Sequence, residues 1–171
     1  TPDGESLHGL FLRSPMQITR ITSTYSPRRY HPVLKKWRAH KGVDYGGRTG
    51  DPVMATADGH VKYVGRKDQY GKVIILQHGQ KYSTLYAHLS RFAPNIRSSR
   101  AVSQGQVIGY VGRTGLATGP HLHYEFRVND VHRNPLTVKL PRSFAIDRVE
   151  RANFLHQANF WSTRLDRLAK R

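Results

Sequence analysis

Residues 119–125 read Gly119-Pro120-His121-Leu122-His123-Tyr124-Glu125. They include the start of the last strand that the sequence predicts, 122–128. In an extended strand successive side chains point to opposite faces of the sheet, so His121 and His123 project to the same side. Two imidazoles on one rigid strand need only a third donor to hold a divalent metal ion. A lone His-x-His pair is more often a pair of surface or hydrogen-bonded core histidines, so the rest of the chain decides between these interpretations.

Short segments with strand character follow one another along the chain, separated by turn residues. They are residues 17–25, 52–57, 60–65, 72–78, 81–89, 107–111 and 122–128. This spacing predicts an all-β core, an antiparallel sheet that forms an open barrel or a sandwich. Asp58-Gly59 predicts a hairpin between 52–57 and 60–65, because this dipeptide favours two-residue turns. The run 73–76 is apolar on both faces and predicts a central strand.

The pattern changes to that of a C-terminal helix after Pro141. Its apolar positions recur every three or four residues: Phe154, Ala158, Trp161, Leu165 and Leu168. Asp147, with Glu150 three residues later, is typical of a helix N-terminus. We expect the apolar stripe to pack against protein, and a helix lying on a membrane is the alternative. The chain is thus expected to comprise an N-terminal segment with a first strand packed on the core, a main domain and a helical extension, at residues 1–25, 26–140 and 141–171.

The charge of the chain is strongly positive. Its 171 residues include 28 Lys and Arg against 11 Asp and Glu, a formal net charge of +17, and no carboxylate occurs between Gln69 and Tyr124. Such a charge attracts polyanions such as nucleic acid, anionic lipid or an acidic cell-wall polymer. No interleaved basic and aromatic motif of an RNA-binding fold occurs, so nucleic acid is not the expected partner. The absence of cysteine excludes disulfides and thiolate metal sites, and no apolar run reaches the length of about 18 residues that a membrane span needs.

His40 and Asp44 offer the missing donors. Their spacing is even, so a strand would place both side chains on one face, and Gly42 disfavours a helix here. With one imidazole of the His-x-His pair they give three nitrogen and oxygen ligands, the pattern of a catalytic zinc site with a position left for water. The other imidazole of that pair and His88 remain for proton transfer and for stabilising an oxyanion. Tyr86 and His88 are two residues apart and are expected to share a strand face.

Two other ionisable residues near these motifs have structural interpretations. Glu125 has the strand parity of His123, so a cross-strand ion pair is expected, with a carboxylate behind a metal ligand as the alternative. His78 precedes Gly79 and is expected in a turn. The remaining histidines are expected to be exposed or locally hydrogen-bonded: His8, His31, His60, His132 and His156.

Three motifs in this order resemble the signatures of the LytM and lysostaphin type of zinc metallopeptidase: His40-x-x-x-Asp44, Tyr86-x-His88 and Gly119-Pro120-His121-Leu122-His123. The flanking residues 31–33 and 134–141 are most similar to those of MepM-type murein DD-endopeptidases of Gram-negative bacteria. The resemblance extends from about residue 28 to residue 135. It implies the fold of that family, an antiparallel duplicated hybrid motif, and hydrolysis of peptide bonds in peptidoglycan.

The resemblance also implies a role for each residue of the motifs. The implied zinc ligands are His40, Asp44 and His123, the implied catalytic pair is His88 and His121, and the implied substrate contacts are Tyr86, Arg113 and Thr118. The site would lie at the floor of a groove whose walls are the loops 28–38, 93–103 and 112–120. The implied scissile bond joins D-alanine to meso-diaminopimelate in a cross-linked stem peptide.

The expected function is therefore that of a zinc-dependent hydrolase of peptidoglycan cross-links in the periplasm or cell envelope of a Gram-negative bacterium. The chain has no initiator methionine, so it is expected to be a processed or excised piece, with any membrane anchor, upstream domain or adaptor contact outside it. The alternative is a non-catalytic module of the same fold that binds peptidoglycan or activates an amidase. All five motif positions are intact, which favours the enzyme.

Overall fold

The computed structural model of the chain describes residues 10–17, 20–31, 35–140 and 148–169. Within these residues the strands are β1 Arg20–Ser23, β2 Ser26–His31, β3 Lys36–His40, β4 Val43–Gly46, β5 Pro52–Met54, β6 Gly59–Lys67, β7 Gly71–His78, β8 Tyr82–Leu89, β9 Arg91–Phe92, β10 Ala101–Val102, β11 Val107–Tyr110, β12 His121–Val128 and β13 Val131–Arg133. A 3-10 turn, Asp68–Tyr70, connects β6 to β7, and the helix α1 spans Arg148–Ala169.

An antiparallel sheet of eight strands is the largest of the sheets that the structure describes. Its order is β1-β4-β12-β8-β7-β6-β10, with β13 paired to β12. A smaller sheet has the order β5-β11-β9, and β2 and β3 form a separate hairpin. In the large sheet β12 lies between β4 and β8, so that His123 stands opposite Asp44 on one side and opposite Ala87 on the other. The predicted antiparallel all-β fold is confirmed.

The apolar core lies on both faces of the large sheet. One cluster joins that sheet to the smaller one and includes Ile74, Leu76, Val53, Ile108 and Leu122. A second cluster on the opposite face consists of Val73, Ile75, Leu85 and Ala87. β7 therefore buries both of its faces and is a central strand, as its apolar run predicts.

A chain of polar side chains runs through the core. The hydroxyl of Tyr86 accepts a hydrogen bond from the backbone N–H of Thr56 at 3.0 Å and lies 3.0 Å from Oγ1 of Thr84. Thr84 Oγ1 in turn lies 2.8 Å from Nε2 of His78, and Thr56 Oγ1 lies 3.1 Å from the hydroxyl of Tyr124. His78 is the last residue of β7 and is fully buried, so its predicted place in a turn is wrong. Its partners in the core hold it there, since a buried polar group needs hydrogen bonds.

The hairpin predicted at Asp58-Gly59 is not formed. β5 pairs with β11 in the smaller sheet, whereas β6 pairs with β7 and β10 in the large one. The chain therefore changes sheets between β5 and β6. Gly59 is needed for a different reason, because a Cβ on it would collide with the backbone oxygen of Gln77 across the β6–β7 ladder.

The C-terminal helix is present, as the sequence predicts. It belongs to a second compact unit, distinct from Phe11–Lys139. Four residues of its apolar stripe are exposed, namely Phe154, Trp161, Leu165 and Leu168, so the packing expected for this stripe is not seen among the described residues. The proposed N-terminal residue of the helix, Asp147, lies outside those residues. No helical segment that the structure describes has the length and apolarity needed to cross a membrane.

Candidate metal centre and groove

Three side chains from separate strands converge on one point. Oδ1 of Asp44 lies 3.0 Å from Nε2 of His40 and 2.8 Å from Nδ1 of His123, and these two nitrogens are 3.2 Å apart. Both rings are buried, each being only 7% exposed. Two imidazole nitrogens and a carboxylate oxygen that face one point are the ligand types zinc prefers, so the residues fit this metal.

The strand pairing explains how the three ligands meet. Asp44 and His123 are direct partners across the β4–β12 ladder. His40, however, ends β3, and Asp44 lies in β4 after a turn, so the two do not share a strand as their even spacing suggested. In that turn Gly42 passes against the ring of His123, and a Cβ there would lie 2.7 Å from its Cε1 atom. A glycine is required because a side chain would displace the ring.

In His40 and His123, the ring nitrogen that points away from the cluster has a hydrogen-bond partner of its own. His40 donates its Nδ1 hydrogen to the backbone oxygen of Thr24 at 2.7 Å. Nε2 of His123 lies 3.1 Å from a carboxylate oxygen of Glu125. Such contacts fix the orientation of a metal-binding histidine and leave its remaining nitrogen for the ion. The supporting contacts are thus in place for coordination through Nε2 of His40 and Nδ1 of His123.

The electrostatics of the cluster favour a bound cation. Burial would raise the pKa of Asp44, but the hydrogen bonds from His123 and His40 outweigh burial and hold it well below its usual range. Burial would lower the pKa of His123, but Asp44 and Glu125 together raise it to about 9. Two buried carboxylates therefore attract positive charge to this point, whether a proton on His123 or a metal ion.

Glu125 is the centre of a buried hydrogen-bond network behind His123. It is fully buried, and its carboxylate accepts hydrogen bonds from Tyr70 Oη at 2.7 Å, from Arg127 Nε at 3.0 Å and from His132 Nε2 at 3.0 Å. Glu125 thus supports a candidate ligand, which was the alternative interpretation. Its ion pair with Arg127 lies within β12, and the contact across to β13 is the hydrogen bond with His132. Its contacts with His123 and Arg127 on β12 follow from strand parity, because residues two apart share a face. No sequence pattern predicted its hydrogen bond with Tyr70, which is distant in sequence.

His88 and His121 form a second pair beside this cluster. Their ring centroids are 4.7 Å apart, and the centroid of His88 is 5.9 Å from that of His123. His88 donates its Nδ1 hydrogen to the backbone oxygen of Thr114 at 2.8 Å, and His121 donates its own to that of Gly119 at 2.9 Å. The Nε2 atoms therefore remain available to accept a proton. Burial lowers the pKa of His88 to about 4, so this ring is neutral at pH 7.

His88 reaches this position through a β-bulge. Between Tyr86 and Leu89, β8 contains one residue more than the opposing stretch of β7, and His88 has a φ of 62°. Bulges redirect side chains in this way. As a result Tyr86 and His88 do not share a face, contrary to the prediction from parity: Tyr86 is fully buried in the core, and His88 lies with His121 and His123.

All five motif side chains border one groove with a volume of about 720 Å³. The wall predicted at 28–38 is formed by the strands β2 and β3 and contributes Arg29 and Arg38. The loop 112–120 contributes Leu116 and Thr118 through Pro120, including the predicted substrate contact Thr118.

Other predicted parts of the groove lie elsewhere. No residue of 93–103 lines it, and Ala101–Val102 of this segment form β10, which pairs with β6. The segment Lys67–Tyr70 lines the groove in its place. The predicted contact Tyr86 is in the core, and Arg113 is exposed but does not line the groove.

Comparison with known proteins shows which family this chain resembles. Residues 38–135 match the model of Peptidase family M23. The chain is 38% identical over 168 residues to the peptidoglycan DD-endopeptidase ShyC of Vibrio cholerae, covering 98% of this chain and 38% of that protein. It is 46% identical over 141 residues to the DD-carboxypeptidase/endopeptidase Mpg of Neisseria meningitidis, covering 81% of this chain and 32% of that protein. The chain thus spans about a third to two fifths of the length of these relatives.

Solved structures share the fold. A zinc-containing peptidase from Vibrio cholerae superposes with a TM-score of 0.72 and 33% identity, over 82% of this chain and 46% of that one. The catalytic domain of lysostaphin from Staphylococcus simulans superposes with a TM-score of 0.61 and 29% identity, over 69% of this chain and 90% of that one. The resemblance to LytM and lysostaphin-type proteins, noted from the sequence motifs, is confirmed.

Proposed function

The chain belongs to peptidase family M23, and we propose that it is a zinc-dependent endopeptidase that hydrolyses peptide cross-links of peptidoglycan. The observation that carries the proposal is the position of the His88–His121 pair beside the cluster of His40, Asp44 and His123, at the same groove. Relatives named as DD-endopeptidases support the substrate class. The proposed bond is that between D-alanine and meso-diaminopimelate, and the proposed location is the periplasm or cell envelope of a Gram-negative bacterium.

The zinc ion would be held by Nε2 of His40, Nδ1 of His123 and the carboxylate of Asp44. When bound there, zinc makes a water molecule nucleophilic near neutral pH and polarises a carbonyl. A three-ligand set leaves room for such chemistry, whereas structural sites use four protein ligands. Glu125 and the backbone of Thr24 keep the two rings oriented.

The histidine pair would handle the proton and the developing charge. Neutral His88 can accept the proton of the attacking water at Nε2, because its Nδ1 hydrogen is already donated to Thr114. A protonated Nε2 can then donate to the leaving amine, or to the oxyanion of the tetrahedral intermediate. His121 presents its Nε2 to the same space, 3.9 Å from Asp44 Oδ1. This Nε2 can be a second acceptor for the proton, and once protonated it can donate to the oxyanion.

The test is digestion of purified peptidoglycan sacculi with and without a chelator, with the soluble products identified by mass spectrometry. We expect cross-linked dimers to become monomers only when zinc is present, and the product masses identify the bond. His88→Ala should retain zinc and lose cleavage. Stoichiometric zinc binding without cleavage by the unmodified chain would instead favour a non-catalytic binding module, and cleavage that is unaffected by zinc removal would overturn the proposed mechanism.

A further inference from the structure

Two arginines stand directly opposite each other on the hairpin that walls the groove. Arg29 on β2 pairs with Arg38 on β3, and both side chains line the groove. Like charges placed opposite each other across a ladder destabilise a hairpin. The neighbouring pair, Tyr30 and Trp37, is more than half exposed, so this hairpin does not gain stability by burying those rings. The repulsion between Arg29 and Arg38 therefore destabilises the hairpin, and the exposed rings beside them do not offset it.

Among the described residues, the partners of the two guanidinium groups compensate their charges only in part. Arg29 hydrogen-bonds to the hydroxyl of Ser23 and lies 3.9 Å from Oδ2 of Asp44. The charge of Asp44 is already shared with His40 and His123. Arg38 donates to the neutral amide oxygen of Gln69.

The rest of this end of the groove adds to the positive charge. Lys41 and Lys67 also line it. Of the carboxylates that line the groove, Asp44 belongs to the metal cluster and Glu125 is buried in its own ion pair with Arg127. The exposed side chain of Asp68 is the third. The described lining therefore carries four Lys and Arg, of which Arg29 adjoins the candidate metal ligands.

We propose that Arg29 and Arg38 bind a carboxylate of the substrate that lies beside the scissile bond. The inference rests on the proposed function and names a feature of its substrate. In a D-alanyl-meso-diaminopimelate link, the carbon that carries the leaving amine also carries a carboxylate, whereas a glycine bridge has no charge at that position. Two guanidinium groups match the two oxygens of a carboxylate and form strong charge-assisted hydrogen bonds. The pair thus selects cross-links that carry a negative charge next to the bond that breaks.

The first test measures turnover of two synthetic cross-linked stem-peptide dimers that differ only at this carboxylate, free in one and amidated in the other. We expect Arg29→Gln and Arg38→Gln to lower kcat/KM on the free carboxylate by about 10- to 100-fold, mainly through KM. On the amidated dimer, which the wild type should cleave poorly, the same substitutions should have little effect. Arg97→Gln is the matched control, because Arg97 is an exposed arginine in a segment that does not line the groove.

The second test removes turnover from the measurement. In a zinc-loaded His88→Ala background, calorimetry should show tighter binding of the free carboxylate than of the amide, and Arg38→Gln should abolish that difference. The hydrogen bond that the structure describes for Arg38 goes to Gln69 and not to a candidate ligand, so this variant stays informative even if Arg29→Gln alters zinc content. Equal affinity for the two dimers, or an equal loss on both in Arg38→Gln, would overturn the inference. If the wild type cleaves neither dimer while carboxylate-dependent binding persists, the proposed function fails and this subsite stands.

Discussion

The imidazole rings of His88 and His121 face each other at 4.7 Å, and each donates its Nδ1 hydrogen to a backbone carbonyl of the segment between β11 and β12. That segment therefore fixes the tautomer of both rings when they are neutral. Both Nε2 atoms are left without a proton and can act as acceptors. A pair with this geometry is suited to proton transfer, and the proposed metal ligands are those of the neighbouring cluster, His40, Asp44 and His123.

Removal of either ring should separate metal binding from catalysis. We expect His88→Ala and His121→Ala each to lower kcat by about 10²- to 10⁴-fold, the usual contribution of general acid–base groups. Zinc content, measured by atomic emission, should stay at one ion per chain. His60→Ala is a control, since His60 is exposed and lies outside the groove. Loss of zinc from both variants would show that the pair belongs to the ligand set.

Gly42 should tolerate no side chain. A methyl group at this position would collide with the backbone oxygen of Tyr124 and with the ring of His123. We expect Gly42→Ala to weaken zinc affinity by at least about tenfold, and the measurement is competition with a chromophoric chelator. In Gly119→Ala the new methyl group meets nothing within 4 Å, so this variant should bind zinc as the wild type does. Equal affinity in the two variants would contradict the role given to Gly42.

Glu125 should affect the metal without touching it. Its carboxylate holds Nε2 of His123, and loss of such a supporting contact typically reduces metal affinity by about 10- to 100-fold. We expect this reduction in Glu125→Gln, again by chelator competition, together with lower stability because Arg127 loses its buried partner. Tyr70→Phe removes one hydrogen bond but keeps the carboxylate, so its effect on affinity should be smaller. An unchanged affinity in Glu125→Gln would disprove the supporting role.

His78 should make stability depend on pH. Burial lowers the pKa of His78 below the value of about 6.5 that the unfolded chain has. The unfolded state therefore takes up a proton first, so this contribution to stability is complete above about pH 6.5 and is lost as pH falls below that value.

The matching variant is His78→Gln. Urea unfolding at pH 7.5 and pH 5.0 should show that the wild type loses more free energy of unfolding between these conditions than the variant. At pH 7.5 the variant should be less stable by about 1–3 kcal/mol, because the buried bonds to Asp58 and Thr84 are disturbed. Equal losses on acidification would mean that His78 does not contribute to the pH dependence.

Sequence patterns predicted the fold class well because the strands are short segments rich in β-branched and aromatic residues, and turn residues separate them. The same patterns failed where tertiary contacts determine which strands pair and which side chains are buried. Asp58-Gly59 has the composition of a hairpin turn, yet β5 joins another sheet, and local sequence does not encode which sheet a strand enters. His78 precedes a glycine, yet it is buried by partners on β8.

Among the site residues too, local sequence predicted some positions correctly, whereas others depend on tertiary contacts. Alternation along a strand correctly placed His121 and His123 together, since β12 is regular at that point. It failed for His88, because a bulge inserts one residue and reverses the parity. The convergence of His40 with Asp44 was expected on a single strand, but it arises from a turn between two strands at Gly42. Arg29 and Arg38 had no local signal, because their pairing depends on the register of a hairpin.

The pairing of β4 with β12 also has a consequence for the folding of this cysteine-free chain. Asp44 and His123 are 79 residues apart in sequence. Loop closure over such a length costs a flexible chain on the order of 4 kcal/mol of entropy, so an unfolded chain does not bring these ligands together. An ion that binds only the folded form stabilises that form by mass action. Through a bound ion, the three ligands would then form a reversible cross-link between distant segments, as a disulfide does in many other proteins.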